Sequence, residues 1–172
     1  MVKETCEREV SRFAGAKKVE VHTGSECVLC LDLTERTWHI DAGDGDLPCG
    51  EIYAAPVENK TNGSVFFETF YLEGAAYKNV TLQVSEGEVF CNSPPAIAEY
   101  FAKQPRENRI VCELGLGMNP HVTDLCGYPL LDEKMAGTFH IAVGENTMFG
   151  GENKASDHID FVGCGKVEVI TC

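Results

Sequence analysis

The sequence predicts a β-rich α+β domain of 172 residues folded as one unit. Three observations predict it. Short apolar runs of strand length recur along most of the chain. Gly, Asn, Asp and Pro punctuate them. Only two segments, about 2–14 and 94–103, carry helix signals.

Val2, Cys6, Val10 and Phe13 share one face of the first helix, and Gly15 stops it. Lys18 to Thr23 alternates, with Val19 and Val21 on one face, and predicts a strand. Cys27 to Leu33 predicts a second strand and Arg36 to Ile40 a short third. Asp41 to Gly50 is rich in Asp and Gly and predicts a loop. Glu51 to Pro56 reads as a short strand entering a turn. Asn62-Gly63 is a turn signal before a strand over Ser64 to Leu72. Asn79 to Val84 and Glu88 to Cys91 predict a hairpin about Glu86-Gly87. Ser93 as N-cap and Pro94 at the first helical position open the second helix, which runs through Lys103 and stops at Pro105. Short strands over 109–114, 137–143, 158–163 and 166–171 complete the chain. There is no internal repeat, low-complexity tract or linker, so residues 1–172 read as a single domain.

Composition narrows the function. Apolar residues make up 44% and charged residues 24%, as in a soluble globular protein. A formal charge of −13 argues against nucleic acid or an anionic membrane as partner, because both require a basic face. No apolar run reaches membrane-spanning length. Met1 to Val10 is charged and lacks a signal core, which predicts a cytoplasmic protein. Nine cysteines then read mostly as free, buried thiols (Cys27, Cys30, Cys91 and Cys112 lie in apolar runs). Cys27 and Cys30 have CxxC spacing, but three residues apart on a strand they face opposite ways. Asn62-Gly63-Ser64 and Asn79-Val80-Thr81 fit a glycosylation sequon by chance in an unsecreted chain.

Ionisable residues stand where a sequence would otherwise build core. Glu113, His140, His158 and Asp160 lie in or beside the runs Val111–Leu114, Thr138–Val143 and His158–Val162. Burying such groups singly costs several kcal/mol or neutralises them, on the order of the usual desolvation penalties. A shared metal ion removes that difficulty, and Glu, His and Asp are ligand types for Zn, Mn, Co and Fe. His158-x-Asp160 on a strand points both side chains to one face. His140 alone reads as a hydrogen-bonded core histidine more readily than as a ligand. Glu51, after Pro48-Cys49-Gly50, reads on spacing as a solvated loop-end carboxylate. Gly115 and Gly117 let the backbone turn tightly beside a site; they are no dinucleotide loop. His22 and His39 read as strand-face residues without a site, and His121 as a solvated loop residue. Three carboxylates and two imidazoles can hold two divalent ions with one carboxylate bridging. Two histidines and an aspartate alone make the Fe(II) triad.

Four ordered segments then resemble one family. Leu47 to Glu58 resembles the "P-x-G-E-v-f-x-A-P" segment of the thermophilic-type metallo-aminopeptidases, the aminopeptidase T and S group, peptidase family M29. Cys112 to Pro120 is similar to its "a-E-L-G-i-G-x-N-P", Leu131 to Gly144 to its "l-x-D-E-K-x-x-G-T-x-H-i-A-l-G", and Gly150 to Asp160 to its closing "G-G-x-n-x-S-x-x-H-x-D". The resemblance implies a two-metal exopeptidase that removes N-terminal residues from peptides. By motif position it implies Glu51, Glu113, His140, His158 and Asp160 as metal ligands, with Glu113 bridging, and two Zn, Co or Mn ions as cofactors. Glu133 is the candidate general base. Lys134, also in a motif, would orient substrate or a carboxylate; a solvated loop lysine is its alternative. The family implies a peptide substrate and a homodimer or higher homo-oligomer.

Two departures shape the expectation. Full members are about twice this length, so the chain corresponds to their C-terminal catalytic part without the N-terminal α/β domain. The family commonly places a tyrosine shortly after the histidine matching His140, whereas Glu145 to Phe149 has none. Both predict impaired activity. The competing readings are a non-catalytic, oligomer-forming metal-binding relative and an Fe(II) ring-cleaving dioxygenase built on His140, His158 and Asp160.

Overall fold

A computed structural model describes residues 2–43 and 47–170. Residues 44–46 of the predicted 41–50 loop, Thr171 at the end of the last predicted strand, and Cys172 lie outside the described residues. Helix α1 (Val2–Phe13) buries Cys6 and Phe13, and Phe13 packs 5.0 Å from the Trp38 ring. Gly15 follows at φ +77°, the left-handed position that ends many helices. Strands β1 (Lys18–Thr23), β2 (Cys27–Asp32), β3 (His39–Asp41), β4 (Glu51–Ala54), β5 (Asn62–Leu72), β6 (Ala75–Ser85) and β7 (Glu88–Phe90) precede helix α2 (Pro95–Lys103). Then come β8 (Val111–Gly117), a single-turn helix α3 (Pro129–Asp132), β9 (Thr138–Gly144), β10 (His158–Cys164) and β11 (Lys166–Ile170). The α+β, β-rich class holds.

The strands form two antiparallel sheets. Six order as β11-β1-β2-β5-β6-β7 and five as β10-β9-β8-β4-β3. Cross-strand partners point to the same side, so the register assigns the faces of the five-stranded sheet. Ile40, Ile52, Leu116 and Phe139 form one continuous row, and Ala54, Leu114, Ile141 and Phe161 the next. This face meets the larger sheet: the Phe139 ring lies 5.8 Å from Phe67, and Phe161 stacks 4.6 Å from Phe70. Each such buried aromatic contributes about 1.5–3 kcal/mol. The opposite face carries Asp41 beside Glu51 and Gly117; His39 beside Tyr53, Gly115 and His140; Glu113 beside Ala142 and Asp160; and Gly144 beside His158. The polar residues of the apolar runs thus all project from one surface.

Several local expectations change. Asn62-Gly63 is no turn: it opens β5, and a Cβ on Gly63 (φ +123°) would collide with the Val28 carbonyl. Helix α2 starts at Pro95, with Pro94 extended, since the residue before a proline is excluded from the helical region. The third strand begins at His39, because Arg36 closes a turn on Leu33. Glu73-Gly74 and Glu86-Gly87, all at positive φ, make tight hairpin turns, and the first of them lets β6 begin at Ala75. No described cysteine is in a disulfide; Cys6, Cys91 and Cys112 are buried, whereas Cys126 and Cys164 are exposed. No helix is long and apolar enough to cross a membrane among the described residues.

Candidate metal centre

Glu113 reaches the polar face through an irregularity. Val111 pairs with Val143, but Glu113 pairs with Ala142, so Cys112 is an extra residue in β8. Unbulged pairing would set Glu113 against Ile141 and aim it into the core. A β-bulge re-aims the side chain. The freed Cys112 carbonyl accepts from Asn146 Nδ2 at 3.1 Å, and the same amide donates to Glu58 Oε1 at 3.0 Å. Asn146 is fully buried.

Gly115 and Gly117 serve a different purpose from tight turning. A Cβ on Gly115 would collide with the His140 imidazole, and one on Gly117 with the Met135 and Glu133 carbonyls. Both glycines lie inside β8 and clear room for a ligand from β9 and for the chain over 133–135. That chain is clamped by Asn119, whose N–H donates to the Lys134 carbonyl at 2.8 Å and whose amide donates to Cys49 O at 2.7 Å.

The candidate ligands fall into two groups. Glu51, Glu133 and His140 place one ligand atom each within 4.8 Å of one another, and so do Glu113, His158 and Asp160. The first group is buried throughout, whereas the His158 side chain is 31% exposed. Glu113 spans them: Oε1 lies 3.0 Å from His140 Nε2 and Oε2 lies 3.6 Å from His158 Nε2. Asp160 Oδ1 is 3.6 Å from His158 Nε2. His158 Nδ1 donates to the Glu145 carbonyl at 2.7 Å, which fixes the tautomer and frees Nε2 toward the carboxylates. Glu51 Oε2 is buried, has no hydrogen-bond partner and lies 3.5 Å from His140 Nε2. An orphaned buried carboxylate oxygen costs about 1–3 kcal/mol or more. Its place between imidazole and carboxylates is what a cation ligand requires, so the residues fit a metal.

The electrostatics agree. Burial pulls the His140 pKa down, but the Glu113 hydrogen bond and the Glu51, Glu113 and Asp160 charges outweigh it and raise it to about 9. For His158, burial is again outweighed, here by Asp160 and Cys112, and its pKa rises to about 12. Burial, joined by the Glu51 charge, pushes Glu133 up to about 7. The face is an excess of negative charge seeking a cation.

All five expected ligands share this surface, together with Glu133. Two bland alternatives fall: Glu51 is no solvated carboxylate, being 7% exposed, and Lys134 is no solvated lysine, being 1% exposed. His121 is exposed and outside the site. His22 pairs with Glu20 and Glu168 away from it. His39 corrects the expectation of a residue without a site: it is on the polar face, stacked 5.3 Å from Tyr53, and its Nε2 donates to the Phe149 carbonyl at 3.1 Å. Phe149 also stands edge-on to Tyr53 (5.5 Å) and to His158 (5.9 Å). Asp41, buried and 3.3 Å from Lys134 Nζ, was hidden in a predicted loop. Its spacing with His39 repeats that of His158-x-Asp160, which is the signal that exposes it.

No curated protein sequence matches the chain. Among solved structures, 2,5-dihydroxypyridine dioxygenase from Pseudomonas putida is similar over 98% of this chain and 56% of that one, with 18% identity and a TM-score of 0.81. AmpT from Thermus thermophilus is similar over 96% and 51% respectively, with 17% identity and a TM-score of 0.71. At these identities the likeness is one of fold, and the chain spans about half the length of either protein. The model of the thermophilic metalloprotease family M29 matches residues 2–166. The chain belongs to the thermophilic metalloprotease family M29.

Proposed function

We propose that the chain is a metal-dependent aminopeptidase that removes N-terminal residues from peptides at a two-ion centre. The carrying observation is the division of six ionisable groups, four of them buried, into two triads spanned by Glu113. Charge supports two ions over one. Five carboxylates (Asp41, Glu51, Glu113, Glu133 and Asp160) face one fixed cation, Lys134. With neutral imidazoles, two divalent ions and Lys134 balance them; a single ion leaves two negative charges buried.

Glu51, Glu113, His140, His158 and Asp160 would hold the ions, with Glu113 shared. Two divalent ions at such a centre polarise a carbonyl and acidify a water. The chain's own groups then orient and move protons. Glu133, raised to about 7, is the carboxylate suited to take up a proton near neutral pH and return it to the leaving amine. Tyr53, His39 and Phe149 form an aromatic wall on one side of His158. A cytoplasmic location and a homo-oligomeric state belong to the same proposal.

Metal content of protein purified without added metal, paired with hydrolysis of chromogenic amino-acid amides in Zn or Co, tests the reading. Two ions per chain and metal-dependent amide cleavage are expected. One iron per chain with no cleavage would instead favour a mononuclear dioxygenase. That second reading is favoured by His140, His158 and Asp160 projecting from the same face of the paired strands β9 and β10. Two ions without hydrolysis across a broad amide panel would favour a non-catalytic metal-binding protein.

A further inference from the structure

Lys134 is almost wholly buried, with a side chain 2% exposed. Its Nζ donates to Glu51 Oε1 at 2.5 Å, lies 2.8 Å from Glu133 Oε1 and 3.3 Å from Asp41 Oδ2. Its main chain is pinned at both ends: its N–H donates to Leu131 O and its carbonyl accepts from Asn119 N. Glu51 and Glu133 belong to the inner triad with His140. The ammonium occupies one oxygen of each. On Glu51 it leaves Oε2, unpartnered and 3.5 Å from His140 Nε2. A lysine in a solvated loop would contact none of this, and a lysine serving only to fill space would not gather three carboxylates.

We propose that Lys134, held in place by Asp41, is a built-in counter-cation of the inner triad: it fixes which oxygens of Glu51 and Glu133 face the ion, and it holds that ion's affinity below what the carboxylates alone would give. The inference rests on the two-ion reading. Its physics is like-charge repulsion at short range inside a buried site. A positive charge that compensates the carboxylates also repels the cation they bind. The consequence is a sign that a packing role does not produce. Removing the ammonium strengthens metal binding while weakening the metal-stripped fold, because uncompensated carboxylates are then buried together. Removing Asp41's charge acts in the opposite direction on affinity.

The test is zinc titration of metal-stripped protein against a competing chelator, with melting temperatures for the stripped and loaded forms. Lys134→Met is expected to bind the inner zinc about tenfold or more tightly, a change of about 1.4 kcal/mol per decade, and to widen the gap between stripped and loaded melting temperatures. Asp41→Asn is expected to bind zinc several-fold more weakly with little change in the loaded melting temperature. Weaker zinc binding in Lys134→Met, or unchanged affinity in Asp41→Asn, overturns the proposal. If Lys134→Met does not fold, Asp41→Asn decides it alone. If wild-type protein takes up neither zinc nor cobalt, the metal reading itself has failed. The counter-cation role is then read from the stripped protein, where Glu51→Gln should restore part of the stability that Lys134→Met removes; no restoration overturns it.

Discussion

The two triads differ more than their similar ligand types suggest. The inner one, Glu51, Glu133 and His140, is buried and carries its own cation. The outer one, Glu113, His158 and Asp160, is reached from solvent through His158. Inner ligands come from a loop-flanked strand end, a single-turn helix cap and a central strand; two of the outer three come from one edge strand. The difference teaches that burial and access are divided. On the two-ion proposal the inner triad would hold an ion at a charge set by Lys134, and the outer one would present an ion to something arriving from solution. Glu113 belongs to both through its two oxygens.

The largest expected effect comes from breaking that shared member. Glu113→Ala should abolish two-ion binding and lower kcat by about 10³-fold or more, as removal of a group acting on the reacting atoms does. Elemental analysis after dialysis checks it: a variant that retains two ions sinks the bridging role. Next is Gly115→Ala. The added methyl meets the His140 ring, so about 1–3 kcal/mol of overpacking strain is expected. The inner ion should be lost and the outer one kept. Simultaneous loss of both would mean that the triads are not separable.

The fold and the ligands were legible to different degrees. His158-x-Asp160 could be read because a strand's period of two survives any context. Glu113 could be located but its orientation could not, because the bulge at Cys112 is set by Asn146, thirty-four residues away. Counted from Val111, alternation points Glu113 into the core; counted from Leu114 and Leu116, it points Glu113 to the polar face. Asp41 stayed hidden because turn-rich composition over 41–50 outweighed the pairing of Asp41 with Glu51. The single turn Pro129–Asp132 is too short for periodicity to register, yet it delivers Glu133 and Lys134. Asn62-Gly63 carries a true glycine signal whose cause is a close backbone approach rather than a turn.

Asn146→Ala sharpens the comparison from the outer side. It removes the donor to the bulged Cys112 carbonyl and loosens the segment whose Glu145 carbonyl orients His158. Losing such support around metal ligands typically costs about 10–100-fold in affinity or activity. The outer ion should weaken first in a two-step zinc titration. Preferential loss of the inner ion would count against the assignment of this loop to the outer triad.

The smallest effect is a slope in pH, and its sign separates protein from metal. In metal-stripped protein His140 titrates near 9, above its ordinary 6.5, because the surrounding carboxylates outweigh burial. Its stabilisation is complete below pH 6.5 and is lost as pH rises through about 9. Glu133, raised from 4.5 to about 7 by burial and by Glu51, works in the same direction: folding favours its neutral form, and that advantage is gone above pH 7. The stripped protein should therefore melt progressively lower between pH 5 and 9, by several degrees. Zinc must displace the same protons, so the loaded protein should gain stability over part of that range. Opposite slopes with chelator and with zinc are expected in paired melting curves. Parallel slopes would mean that the ions bind somewhere other than the carboxylate–imidazole face, because only ligands that exchange a proton for the metal can invert the dependence.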